Sequence, residues 1–201
     1  MRDGTPSSPA DDIMCATYRA LCRHGYADLT MQDIADEWEK SKAALHYHYD
    51  TKRGLLLSFL DHLFESYTDR VADHGEGSPR KRLHDLLAAA LDPPRADVTR
   101  ELRTALFEVK ARAPHDDAFR ERLERFDRYL DTELRGVIGE GVADGTFRDD
   151  VDPAEAATLL VTLVNGAHSR RIVLGDDAGL PDAMRSFVDD HLVDGEADAD
   201  R

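Results

Sequence analysis

Several segments of this chain begin alike: a Ser, Thr or Asp, often a Pro next, then an acid within the first turn. Each component has a purpose at a helix start. The side-chain oxygen accepts from backbone N–H groups that have no intrahelical partner, Pro has no N–H to leave unpaired, and the acid faces the positive end of the helix dipole. Starts of this kind stand at Ser8–Asp11, Thr30–Asp33 and Asp152–Glu155; Ser41, Thr51 and Ser78–Lys81 offer the cap without the acid, and a last start stands at Pro181. They predict helices from Ser8, from Thr30 through Trp38, from Ser41, from Thr51 to Asp73, and from Ser78 to Leu91. Further helices are expected over 96–113, over 116–144 ending at Gly145, over 152–174 and over 181–192. The first carries an apolar stripe of Ile13, Ala16, Ala20 and Leu21 at i, i+3, i+7 and i+8. No strand-like alternation of useful length competes. The expected fold is all-α with nine helices: a helix-turn-helix unit of three helices over 1–50, a bundle over 51–193, and a disordered tail over 194–201.

Other classes of protein are disfavoured. The longest apolar runs, such as the one over 159–164, are core-sized and far short of a membrane span, so no membrane partner is expected. The polar N-terminus has no apolar signal segment, which points to the cytoplasm. Cys15 and Cys22 lie seven apart on one helix, roughly 10.5 Å along its axis, beyond the reach of a disulfide; they are expected to be reduced core thiols.

The net charge of −15 ordinarily argues against nucleic acid. Its distribution changes that argument. Residues 1–57 hold seven Lys/Arg against nine Asp/Glu, a net of −2, so the remainder carries −13. Among the basic residues 21 are Arg and five are Lys. This composition resembles that of proteins from salt-loving archaea, in which acidity reflects a multimolar cytoplasm; an ordinary acidic protein is the alternative.

The near-neutral segment contains Ser41–Asp50, with two histidines, two tyrosines and a lysine in ten residues. Ile34 and Ala35 on one short helix and Leu45 on the next face a common core, a helix-turn-helix pattern in which the second helix enters the DNA major groove. Lys42, Ala43, Ala44 and Tyr47 then face outward. Alanine can touch a thymine methyl and lysine can donate to guanine. Thr30, His46, His48 and Lys52 are the expected phosphate contacts, Lys52 standing in the first turn of a long helix. Tyr49 is expected to be core. A metal site is disfavoured because His46 and His48, two apart, diverge on a helix. No catalytic motif or cofactor signature is present, so neither an enzyme nor a cofactor is expected.

Thr30, Ile34, Ala35, Ser41, Leu45, His48, Tyr49, Lys52, Leu55 and Leu56 together resemble the signature of TetR transcriptional regulators, and Gly139–Arg171 is similar to the stretch joining the last bundle helices in that family. Trp38, Glu39 and Lys40 depart from it, standing where Ala-Gly-Val is usual; Ala43 replaces a common Gly and His46 a Tyr. Losing the turn glycine puts a Cβ at a position expected to need positive φ. The resemblance implies a homodimer on a palindromic double-stranded operator, released by a small molecule in the bundle.

For the bundle, the apolar run Ala156, Ala157, Leu160, Leu163, Val164 and Ala167, with Leu180, Met184, Phe187, Val188 and Leu192 on the last helix, predicts a four-helix subunit interface; the alternative is that these helices cap the core of the single chain. Polar or aromatic residues on otherwise apolar helices are the candidate effector contacts: His62, His84, Phe107, Tyr129, Asn165 and His168. The alternative function is a helical ligand-binding or sensor protein with weak or no DNA binding.

Overall fold

The computed structural model describes residues 8–72, 77–91, 100–175 and 179–193. These residues form nine α-helices: α1 Pro9–Asp28, α2 Met31–Glu37, α3 Lys42–His48, α4 Lys52–Ala72, α5 Pro79–Leu91, α6 Arg100–Lys110, α7 Asp117–Asp144, α8 Pro153–Leu174 and α9 Leu180–His191. A 3-10 turn over Ala113–His115 takes up Pro114. The caps act as their chemistry predicts. The hydroxyl oxygens of Ser8 and Thr30 each accept from the backbone N–H three residues on, while Asp11 and Asp33 return the bond. Asp152 accepts from the N–H groups of Ala154 and Glu155. The expected tail over 194–201 and the expected start of the sixth helix at 96–99 lie outside the described residues.

The chain divides into two compact units, one within Met1–Glu65 and Asp97–Leu123, the other within Ser66–Ala96 and Glu124–Arg201. The first takes in α6 and the start of α7 as well as the three N-terminal helices. Its core holds Ile13, Ala16, Ala20 and Leu21 of α1, Ile34 and Ala35 of α2, Leu45 of α3, and Leu55, Leu56, Phe59 and Leu60 of α4. Ala105, Val109 and Phe119 complete it. Cys15 does not belong to this core. It is exposed, because two residues beyond Ile13 is about 200° around the helix, while Cys22 is half-buried; the two are not joined in a disulfide.

The second unit closes around Leu83, Leu86, Leu134, Ile138, Phe147, Leu160 and Val188, all essentially inaccessible. Much of the apolar run expected at a subunit interface lies in this core. Leu160, Val164, Ala167, Met184 and Val188 are buried within the one chain, so their apolar area closes its own core. Phe187 is half-buried and stacks on His191 at 4.6 Å. The outward side of α8 is a different row: Thr158, Leu159 and Thr162, with Leu159 44% exposed.

Candidate nucleic-acid interface

The turn between α2 and α3 sets the geometry of the candidate interface. Trp38 caps α2, and Glu39 adopts a left-handed φ of 57°. The Glu39 N–H donates to the Asp36 carbonyl and the Lys40 N–H to the Ala35 carbonyl, at 3.1 and 3.2 Å. That pair of bonds is a Schellman motif, whose left-handed residue is most often Gly. The glycine-less turn therefore keeps the usual backbone and places Glu39 in a costly conformation. Lys40 points into solvent. Arg19 and Arg23 of α1 both pair with Glu37, fixing the end of α2.

Ser41 caps α3 by accepting from the Ala44 N–H at 3.1 Å. Leu45 is fully buried beneath the helix, and Lys42, Ala43, His46, Tyr47 and His48 are exposed, with Ala44 half-covered. Tyr47 is 88% exposed, the most solvent-facing of the large apolar side chains among the described residues. His48 lies edge-on to Trp38 at 5.7 Å and edge-on to Tyr47 at 5.3 Å. Tyr49 is half-buried against the core.

Two of the expected phosphate contacts have partners within the chain. The Thr30 hydroxyl donates to Asp33 at 2.7 Å, and that bond, with the Thr30 N–H, holds the Asp33 carboxyl below its ordinary range. Lys52 Nζ donates to the Tyr26 carbonyl at 2.7 Å and stands 4.8 Å over the Tyr26 ring. Burial lowers the Lys52 pKa, opposed by the charges of Asp28 and Asp33. Tyr26 follows Gly25, whose φ of 67° breaks α1, and its freed N–H donates to Glu108 of α6 at 2.7 Å. One residue on, Arg53 makes a bidentate pair with Asp116 at 2.7 and 2.8 Å. These ties hold the first turn of α4 to the end of α1 and the start of α7. They join residues 26 to 82 positions apart, and no local pattern announces them.

Two family models match this chain: the bacterial regulatory proteins of the tetR family over residues 13–59, and the BetI-type transcriptional repressor C-terminal domain over residues 79–195. The chain belongs to the TetR family. Among TetR-family proteins it is 26% identical over 175 residues to the transcriptional repressor AcnR of Corynebacterium diphtheriae, covering 84% of each chain. A TetR transcription regulator from Haloarcula marismortui superposes with a TM-score of 0.83 at 41% identity, covering 91% of this chain and 97% of the other. A transcriptional regulator from Saccharomonospora viridis in complex with choline gives a TM-score of 0.77 at 28% identity, covering 92% and 97%. The chain is thus a TetR-family transcriptional regulator with the all-α fold of that family.

The effector candidates of this TetR regulator are distributed over both units. His62 and Phe107 are half-buried in the first. His84, Tyr129, Asn165 and His168 lie in the second, also half-buried. His84 Nε2 is 2.8 Å from Asp189, which Arg80 also bonds. Burial raises the Asp189 carboxyl, and the bonds from Arg80 and His84 outweigh it, leaving the pKa below the ordinary value. The Tyr129 hydroxyl donates to the Thr68 carbonyl at 3.3 Å, and the Asn165 amide to Asp127 at 3.0 Å. The Tyr67 ring packs against both Tyr129 and Phe126, and burial raises the pKa values of the two tyrosines. Among the described residues there is no His/Cys/Asp/Glu group fit to hold a metal ion, and no helix is long and apolar enough to cross a membrane.

Proposed function

We propose that this regulator is a repressor: a homodimer that holds a palindromic operator and releases it when a small molecule binds the second unit. The observation that carries the reading is the outward face of α3, where Lys42, Ala43 and Tyr47 stand free above a fully buried Leu45. A small residue beside a lysine lets the helix approach base edges, with Lys42 donating to guanine and Ala43 or Ala44 against a thymine methyl. His46 and His48 serve the phosphates, and Thr30 and Lys52 act mainly by holding the helices that present them. The protein does no chemistry of its own and works in the cytoplasm, where the DNA is.

The dimer forms through the outward row of α8. Thr158 and Thr162 give their hydroxyl hydrogens to their own helix, to the carbonyls of Ala154 and Thr158, and are exposed together with Leu159. The effector lies near Tyr129, Asn165 and His168; the likeness to a regulator solved with choline supports a small-molecule effector in this fold. The acidic composition and the likeness to a Haloarcula protein support a halophilic origin. In multimolar salt counterion release contributes little to binding, so specificity rests on base edges and apolar contact.

A sensor without DNA affinity is the second reading, favoured by the engagement of Thr30 and Lys52 within the chain. Selection of random duplex DNA by the purified protein in molar KCl, followed by gel shift of the selected sequence, separates the two. A palindromic consensus, bound with a shallow dependence on salt, is expected. Failure to enrich any sequence would establish the sensor, and a steep salt dependence would remove the halophilic argument.

A further inference from the structure

Trp38 is the residue on which α2 ends. It stands in the turn at the end of α2 and is half-buried, with its apolar body against the core that holds Ile34 and Leu45. The exposed ring of His48, one turn of α3 and a loop away in space, meets the Trp38 indole edge-on at 5.7 Å with the planes at 78°. His48 in turn meets Tyr47 edge-on at 5.3 Å with the planes at 89°. Edge-to-face contacts at these separations are attractive, because the positive rim of one ring approaches the negative face of the other. The three rings thus form a column that begins at the core and ends at Tyr47.

A side chain as exposed as Tyr47 would ordinarily sample several rotamers and lose that freedom on binding. A ring held from behind loses less. We infer that Trp38 is a positioning residue for recognition: through His48 it holds Tyr47 ready to contact the operator. The inference rests on the proposed DNA-binding role of α3 and assigns to Trp38 a function in addition to covering the core. The left-handed Glu39 that follows it fixes the direction in which the chain leaves Trp38.

The test combines a double-mutant cycle with a readout that does not involve DNA. Trp38→Leu keeps an apolar plug on the core and removes the ring that reaches His48; Tyr47→Ala removes the end of the column. Each should weaken binding to the selected operator by about two- to tenfold, the worth of an aromatic pair. The double variant should be no weaker than the worse single one. In NMR spectra of the free protein, the His48 ring protons should carry ring-current displacements that collapse in Trp38→Leu. Should Trp38→Leu melt early, Trp38→Phe is measured instead, since its smaller ring covers the core but stops short of His48. Additive penalties, wild-type binding by the Trp38 variant, or His48 resonances indifferent to Trp38 would each overturn the inference while leaving the regulator reading intact. A wild-type chain that selects no operator would sink both, whatever the His48 resonances show.

Discussion

Lys52 Nζ lies 2.7 Å from the carbonyl oxygen of Tyr26, the residue whose own N–H is held by Glu108. Both backbone groups of one residue are thereby bonded, the carbonyl by an ammonium from α4 and the N–H by a carboxylate from α6. It sits where Gly25 breaks α1, so groups that would otherwise need water are satisfied within the unit. Lys52→Met keeps the stem against the Tyr26 ring and removes the donor. We expect it to lower stability by about 1 kcal/mol in urea unfolding, and to weaken cognate and scrambled DNA by the same factor. Loss confined to one base pair of the operator would make Lys52 a base contact.

Glu39→Gly should raise stability. A non-glycine residue in the left-handed region costs on the order of 1–2 kcal/mol, partly offset by the entropy glycine adds to the unfolded chain, leaving a gain of about 0.5–1 kcal/mol. Glu39→Gln, which removes the charge and keeps the Cβ, should show no such gain. The comparison is a pair of thermal melts in one buffer.

Asp116 gives an acid dependence with a defined sign. Arg53 lowers its carboxyl from the ordinary 3.8 to about 2, assisted by the N–H groups of Phe119 and Ala118. Between those values the folded chain keeps the carboxylate that the unfolded chain protonates. Its contribution is therefore complete above the ordinary value and lost as pH falls toward 2. Asp116→Asn should be less stable at neutral pH, and the gap to wild type should shrink across that window. A gap that stays constant down to pH 2 would mean that the pair with Arg53 does not form in solution.

Adjacent residues on α8 should fail in different ways. Leu160 is fully buried, and Leu160→Ala should cost about 2–5 kcal/mol of stability. Leu159 faces out, and Leu159→Glu should leave the melt of the isolated chain within about 0.5 kcal/mol while abolishing the dimer in light scattering at high salt. A Leu159→Glu protein that remains dimeric would move the subunit interface elsewhere.

The helix starts were legible because capping is local chemistry: Ser8, Thr30, Ser41 and Asp152 each act on N–H groups within three residues. The strained turn was legible for the same reason, since Glu39 stands where the backbone calls for Gly. The apolar stripe of α8 and α9 has two candidate partners, and the pattern alone does not choose between them. Leu160, Val164 and Val188 show that periodicity identifies a buried face without saying whether the covering surface belongs to the same chain. The partners of Lys52, Arg53 and Tyr26 lie 26, 63 and 82 residues away, and their pairing is a property of the assembled unit. The contact between Trp38 and His48 was foreshadowed only by a large ring in a turn that resembles ones built from small residues.

The two cores are completed at different points along the chain, and this has a consequence for synthesis. Every buried residue of the first core lies at or before Phe119, so that unit has all it needs once the ribosome has released the start of α7. The second core waits for Leu192, whose carbonyl accepts from the Arg148 N–H at 2.9 Å beside the bridge between Phe147 and Val193. A nascent chain should therefore hold a folded first unit while its other core is still open, and a ribosome stalled between those points would carry an α3 face already formed.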